Sequence, residues 1–347
     1  MNKNNVFENI LGLIGNTPMI KLNRVTKNIP ATVYAKLESY NPGHSTKDRI
    51  AIHIIENAEK KGLLKEGATI VETTSGNTGF SLAMASIIKG YKCILAVSDK
   101  TKEEKISYLK ALGATVHVCP ANVPADDPRS YYEVAKRIAS ETPNSIYINQ
   151  YFNELNIEAH YLTTGPEIWE QTEGKITHII ACCGTGGTLS GSAKFLKEKN
   201  PNINVIGVDA DGSILKTFHE TGKIDKSEIH SYQIEGLGKT LIPSALLFDQ
   251  IDEFVRVNDE SSAYTAREIA LREGFMGGYT TGAVIQALKQ YNQEHPLSED
   301  DVVVAIFPDD GSRYITKIYS DEWMRAQGFS RNGYHSYDDI CKTEYIK

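Results

Sequence analysis

One lysine stands where helix physics would not put it. In NPGHSTKDRIAIHIIENAEKKG, residues 41–62, Lys47 falls on the first turn of a segment whose apolar residues, Ile50, Ile54, Ile55 and Ala58, recur at helical spacing up to Gly62. A helix N-terminus carries roughly half a positive charge, so it favours an anion such as Asp48 and disfavours a cation. Ser45 is the residue type expected to cap such a helix. Taken alone, Lys47 reads first as a solvated surface side chain. Two glycine-rich turns give it company. ETTSGNTGF, residues 72–80, offers the hydroxyls of Thr74, Ser75 and Thr78; CCGTGGTLS, residues 182–190, offers Gly184, Gly186 and Gly187 with the hydroxyls of Thr185 and Thr188. Each follows a strand-like run and opens a helix-like run, so backbone N–H groups at a helix start can cradle an anion. Neither ends in the Gly-Lys-Ser/Thr of a nucleotide loop, and neither is the dinucleotide Gly-x-Gly-x-x-Gly with a strand-end acid. Each alone is equally well explained as a tight turn.

Together the three features describe a coherent chemistry. Two anion cradles and one isolated amine suit a carbonyl cofactor bearing a phosphate, plus a substrate carboxylate. Pyridoxal phosphate meets that description, because its aldehyde forms a Schiff base with a lysine amine. Such a lysine must shed its proton, and the positive helix end and neighbouring Arg49 are expected to depress its pKa.

The elements that must position these groups alternate. Strand-like runs lie at 31–38, 68–74, 91–98, 115–120, 145–150, 175–183, 203–210 and 301–307, with helix-like runs after Lys47 and at 77–90, 102–114, 129–141, 188–200, 263–275 and 281–293. Short apolar strands between helices predict an α/β fold with parallel-type sheets covered on both faces. The 347 residues suggest two domains with a ligand cleft between them. A formal net charge of −7 without a basic stripe argues against a nucleic-acid partner. No apolar run is long enough for a membrane span or a signal-peptide core. The 5 cysteines show no Cys-x-x-Cys spacing, so reduced thiols in the cytoplasm and no metal site are expected.

The motifs NPGHSTKDR (41–49), TTSGNTG (73–79), NQYFN (149–153), GTGGT (184–188), EGLG (235–238), GGYTTGA (277–283) and FPDDGSRY (307–314), in this order and spacing, carry a family resemblance. The chain resembles fold-type II pyridoxal phosphate enzymes of the cysteine synthase and cystathionine β-synthase family, from IGNTPMIKLN (14–23) to SDEWM (320–324). The segments at 127–153 and 314–329 are similar to the β-synthase branch. The resemblance implies a homodimer acting on small amino acids. It implies a smaller mobile domain at 40–150, a larger domain from 1–39 and 151–330, and a tail at 331–347 that is a loose arm or an oligomer contact. It implies neither a haem extension nor regulatory domains, hence no control by S-adenosylmethionine.

By resemblance, Lys47 carries the cofactor and later moves protons. Asn77 meets the cofactor's phenolic oxygen, and Gly184, Thr185, Gly186, Gly187 and Thr188 hold its phosphate. Thr280 faces the pyridine nitrogen with a hydroxyl, which favours elimination of a β-substituent over a long-lived carbanion. Thr74, Ser75, Gly76, Thr78 and Gln150 clamp the substrate carboxylate. Glu235, followed by Gly236, protonates a leaving group or orients a nucleophile, or simply forms a salt bridge. The implied reaction is β-replacement on serine or an O-activated serine through an aminoacrylate, with homocysteine as nucleophile to give cystathionine. Sulfide, cysteine or an amine are the alternatives, and a non-catalytic cofactor-binding partner is a remote one. His44, Thr46 and Tyr279 depart from the family pattern and leave substrate identity open. His44 reads as a loop histidine, and Cys183 as a packing residue.

Overall fold

The computed structural model describes residues 6–74, 76–124, 126–330 and 336–337. Ser75, Cys341 and all of the 331–347 tail except Ser336 and Tyr337 lie outside the described residues. The strands are β1 (Met19–Lys21), β2 (Thr32–Leu37), β3 (Thr69–Thr73), β4 (Lys92–Ser98), β5 (Thr115–Cys119), β6 (Ser145–Tyr147), β7 (His178–Cys182), β8 (Asn204–Ala210), β9 (Glu253–Val257) and β10 (Val302–Phe307). The helices are α1 (Lys47–Lys60), α2 (Asn77–Lys89), α3 (Glu103–Ala111), α4 (Tyr131–Glu141), α5 (Leu155–Leu162), α6 (Thr164–Gln171), α7 (Gly187–Lys199), α8 (Leu215–Thr221), α9 (Asp259–Glu273), α10 (Tyr279–Glu294) and α11 (Asp321–Ala326).

The strands form two sheets, ordered β1-β2-β10-β7-β8-β9 and β5-β4-β3-β6. Every pairing is parallel except the edge pair β1–β2. The central strands are apolar along their whole length: all of β3 is buried, as is β10 after its first residue. Continuous burial is what a parallel strand covered on both faces requires. One core joins α9 and α10 to one face of the larger sheet, and another packs α7 against its opposite face. The smaller sheet buries α1 and α2 on one face and α4 on the other.

Several sequence expectations need correction. β1, β9, α5, α6, α8 and α11 go unread in the sequence because each runs for only 3 to 8 residues, too short for a periodic pattern to stand out. The expected strand 145–150 stops at Tyr147, because Asn149 takes a left-handed φ of 52° and turns Gln150 out of the sheet. Thr46, not Ser45, is the N-cap of α1, although the Ser45 hydroxyl accepts the Lys47 N–H at 3.3 Å. Asp48 does more than balance a helix start: its carboxylate accepts from the Gly43 N–H and the Ser81 hydroxyl, both at 2.5 Å, tying α1 to its own entry loop and to α2. Among the described residues, no helix is long and apolar enough to cross a membrane.

The first turn of α1 is anchored by a buried ion cluster. Arg49 donates to Glu38 at 2.7 and 2.8 Å and to Glu167 on α6 at 2.6 and 2.8 Å, while Lys36 on β2 donates to Glu167 at 2.6 Å. Burial works against the Glu38 charge, yet Arg49 and Lys36 hold its pKa down at about 2. A depressed carboxylate pKa contributes stability that is present above the ordinary value near 4.5 and is lost as pH falls through about 2. Arg49→Met would leave Glu38 buried without its main counter-charge, at a cost on the order of 3–5 kcal/mol. Urea unfolding at neutral pH should show that loss, and the gap to wild type should narrow as acid neutralises Glu38. A variant as stable as wild type at neutral pH would contradict the cluster's anchoring role.

Candidate active site

The strand ends of both sheets meet one cavity of about 220 Å³. It lies where ligands bind in open α/β sheets, beyond the carboxyl ends of parallel strands. Lys47 enters from the start of α1; Thr74, Gly76, Asn77 and Thr78 come from the β3–α2 turn. Gly184, Thr185, Gly186 and Thr188 line it from the β7–α7 turn, and Gln150 from the chain after β6. Glu235 and Gly236 come from the loop before β9, and Thr280 from the first turn of α10. Gly187 sits behind this surface, where a Cβ would run into the Asn156 amide. Tyr279 points away: it is fully buried in the core and donates to the Asp259 carbonyl at 2.9 Å. His44 is exposed, in the left-handed region at φ 60°.

Two helix starts are left open toward the cavity. Neither α2 nor α7 carries an acid in its first turn or a side-chain cap, and their N-cap positions are Gly76 and Gly186. Gly186 has φ 89°, which glycine adopts without strain. Unfilled N–H groups and the helix dipole make both starts suited to anions. Around them the hydroxyls are held in place. Thr78 donates to Gln150 Oε1 at 2.7 Å. The Asn156 amide donates both to Thr185 Oγ1 at 3.1 Å and to the Gln150 carbonyl at 2.9 Å, linking the two anion turns. Thr188 shares a 3.1 Å hydrogen bond with His160 and a 3.5 Å contact with the Thr46 hydroxyl. Burial pushes the His160 pKa down to about 3, so its ring is neutral.

Lys47 brings an amine with a lowered pKa to the cavity. Burial lowers its pKa to about 8; Asp309 opposes the shift and Lys239 adds to it. Arg49 is not the cause, contrary to the sequence expectation, because its guanidinium is committed to Glu38 and Glu167. Glu235 forms ion pairs with Lys105 at 2.7 Å and with Lys317. Burial opposes its charge, but the two lysines hold its pKa below the ordinary carboxylate value, which suits a structural anion rather than a proton donor.

Sequence reasoning missed a second cluster. Asp309 and Arg313, which follow β10, also line the cavity. Arg313 donates to Asn77 Oδ1, while Asn77 Nδ2 donates to Asp309 Oδ2 at 2.9 Å. These partners fix the Asn77 amide and leave its second N–H hydrogen free to serve as a donor to a ligand. Tyr314 also donates to Asp309 Oδ2, at 2.8 Å, whereas the buried Asp309 Oδ1 has no partner among the described residues. An unmatched buried oxygen costs free energy unless something else in the site answers it. The Asp-Asp pair in FPDDGSRY beside a predicted strand end was the available sequence clue.

These parts occur together in known proteins. The chain is 44% identical over 344 residues to the cystathionine beta-synthase of Apis mellifera, covering 99% of this chain and 66% of that protein. It is 42% identical over 326 residues to the cystathionine beta-synthase of Saccharomyces cerevisiae, covering 91% of this chain and 64% of that protein. The chain therefore spans less than two-thirds of the length of these relatives. A crystal structure of O-ureido-L-serine synthase is similar with a TM-score of 0.82 and 31% identity, covering 92% of this chain and 99% of that one. Residues 10–309, which include the cavity walls from Lys47 to Asp309, match the family described as pyridoxal-phosphate dependent enzyme. The chain belongs to that family, and its cofactor is pyridoxal 5'-phosphate.

Proposed function

We propose that the protein catalyses β-replacement on serine or an O-activated serine, joining homocysteine at the β-carbon to give cystathionine. The observation that carries this reading is the convergence of a lysine amine, with its pKa lowered to about 8, and two open helix starts on one cavity. The site fits the cofactor. The α7 start and the glycines before it offer N–H groups to a phosphate, Asn77 has a free N–H for an anionic oxygen, and Lys47 provides the amine. When bound, the cofactor supplies the electron sink that acidifies the donor's α-carbon.

The chain's own residues do the rest. The turn at Thr74, Gly76 and Thr78, with Gln150 holding Thr78, receives the donor carboxylate at the second open helix start. Lys47 Nζ takes the proton from the α-carbon and returns one after the nucleophile has added. Thr280 offers a hydroxyl, not a carboxylate, to the cofactor ring. Lys239 lines the outer wall, 3.2 Å from the Tyr151 hydroxyl, where a cation can meet the carboxylate of an incoming amino acid. The names of the two relatives support homocysteine as that amino acid. The described cysteines are free, which suits a cytoplasmic setting, and a homodimer is the proposed assembly.

The likeness to O-ureido-L-serine synthase, which is named for a product other than cystathionine, favours a nucleophile other than homocysteine, and the second reading discharges the same first half-reaction with sulfide, cysteine or an amine. Mass spectrometry of products from serine, O-acetylserine and O-phosphoserine, each paired with every nucleophile, tests both. Cystathionine as the main product supports the first reading; rapid turnover with another nucleophile and none with homocysteine replaces it with the second.

One variant separates the half-reactions. Lys239→Ala should raise the Michaelis constant for homocysteine several-fold, on the order of 1 kcal/mol, and leave the reaction with serine nearly unchanged. Rapid-mixing absorbance follows the two steps separately. An unchanged constant for homocysteine would remove Lys239 from its recognition.

A further inference from the structure

Glu72 lies one residue before the end of β3, just behind the turn that carries Thr74, and no step above uses it. It is fully buried and enters no ion pair among the described residues. Its carboxylate instead binds both chain segments of the cavity's anion clamp. One oxygen accepts the Thr73 N–H at 2.6 Å and the Thr73 hydroxyl at 3.1 Å; the other accepts the Gln150 N–H at 3.1 Å. The strand pairing of β3 with β6 ends at Val71↔Tyr147, and the Ile148 N–H still reaches the Val71 carbonyl at 3.1 Å. Beyond that point Asn149 turns the chain away. Past the last backbone bond, Glu72 joins the strand end of the turn to the Gln150 main chain, while the Thr78 hydroxyl reaches the Gln150 side chain from the turn's far end.

We propose that Glu72 is a positioning residue that sets the spacing between the 73–78 turn and Gln150, and that its ionised form is the one in which the cavity grips the donor's carboxylate. This rests on the reading of Thr74, Thr78 and Gln150 as the donor clamp.

The chemistry gives the link a sign. An ionised carboxylate accepts from all three donors. Protonation removes the negative charge that both backbone N–H groups answer and puts a hydrogen on an oxygen that faces one of them, so part of the link is lost. Burial raises the Glu72 pKa to about 7, against the opposing pull of the Thr73 and Gln150 N–H groups. The grip is then full above about pH 7 and weakens as pH falls through it. The neighbouring elements bring little charge to compensate. β4 presents Leu95 opposite Glu72, and α2 carries no titratable side chain before Lys89. On β6, burial and next the Glu72 charge push the Tyr147 phenol up to about 12, and Glu133 of α4 adds a smaller effect on that phenol.

The test uses the holoprotein and the change in its visible absorbance on adding L-serine, from about pH 6 to about pH 8.5. The ratio of Glu72→Gln to wild-type affinity cancels the ionisation of serine itself. We expect the variant to keep the cofactor's absorbance and a near-normal kcat. Its serine affinity should be about tenfold weaker at the alkaline end, with the gap closing towards the acid end. A variant with wild-type affinity and pH profile overturns the proposal. Should Glu72→Gln fail to fold, calorimetry of wild type with 3-hydroxypropionate, which has a carboxylate and no amine, decides the matter. Binding that weakens as pH falls through about 7 supports the proposal, and binding that stays level across that range overturns it. If wild type answers to neither probe, the clamp reading itself fails and this inference falls with it; a response that is merely insensitive to pH sinks Glu72 alone.

Discussion

Lys47→Ala should abolish turnover, with a loss on the order of 10³-fold or more, because on the proposed reading one amine both holds the cofactor and moves the α-proton. The fold should survive, since Lys47 enters no ion pair among the described residues and helix propensity favours alanine there. The wild-type amine leaves a pH signature of its own. Its neutral form is the nucleophile, and its pKa is lowered to about 8 by burial first. Covalent capture of pyridoxal 5'-phosphate by apoprotein should therefore speed up through about pH 8 and level off above it, where an ordinary lysine would still be gaining. Stopped-flow absorbance measures this rate, and a midpoint near that of a solvated lysine would contradict the buried-amine account.

Gly184→Ala is the second large effect. A Cβ at this position would collide with the Gly236 carbonyl oxygen, a backbone atom that cannot rotate away. The two loops are also bonded, with the Gly238 N–H donating to the Cys183 carbonyl at 2.9 Å. The β7–α7 turn must then shift away from the 235–238 loop and carry its N–H groups off the position proposed for the phosphate. Overpacking of this kind costs about 1–3 kcal/mol, which corresponds to roughly five- to 150-fold in affinity. Titrating apoprotein with cofactor should show that loss. Wild-type affinity in the variant would mean that this turn does not hold the phosphate.

What the sequence revealed follows from how local each feature is. Lys47 stood out because it opposes the helix dipole, and the 184–188 turn because its glycines and hydroxyls open a helix, a pattern that gained meaning only beside that lysine. Arg49 was misjudged for a geometric reason. Residues two apart on an α-helix point to well-separated directions, so Arg49 faces the Glu38 and Glu167 side of α1 while Lys47 faces the cavity. Asn156 and His160 on α5, and Asp309 and Arg313 after β10, were missed because isolated polar residues make no local pattern, and tertiary packing alone brings the two segments to the site. Glu235 shows the same limit from the other side. Its salt-bridge partners Lys105 and Lys317 lie 130 and 82 residues away, beyond what a local pattern can report. The strands β1 and β9, with 3 and 5 residues, are too short for their alternation to be told from a loop.

The central claim is that Lys47 is the residue that binds the cofactor. Reducing the holoprotein with borohydride fixes the bound cofactor as a stable secondary amine, and peptide mass mapping then locates it. The account predicts that the modified peptide contains Lys47 and that Lys47→Ala yields no such adduct. An adduct on Lys239 or Lys105, the other lysines that line the cavity, or reduction that leaves Lys47 free, would contradict it.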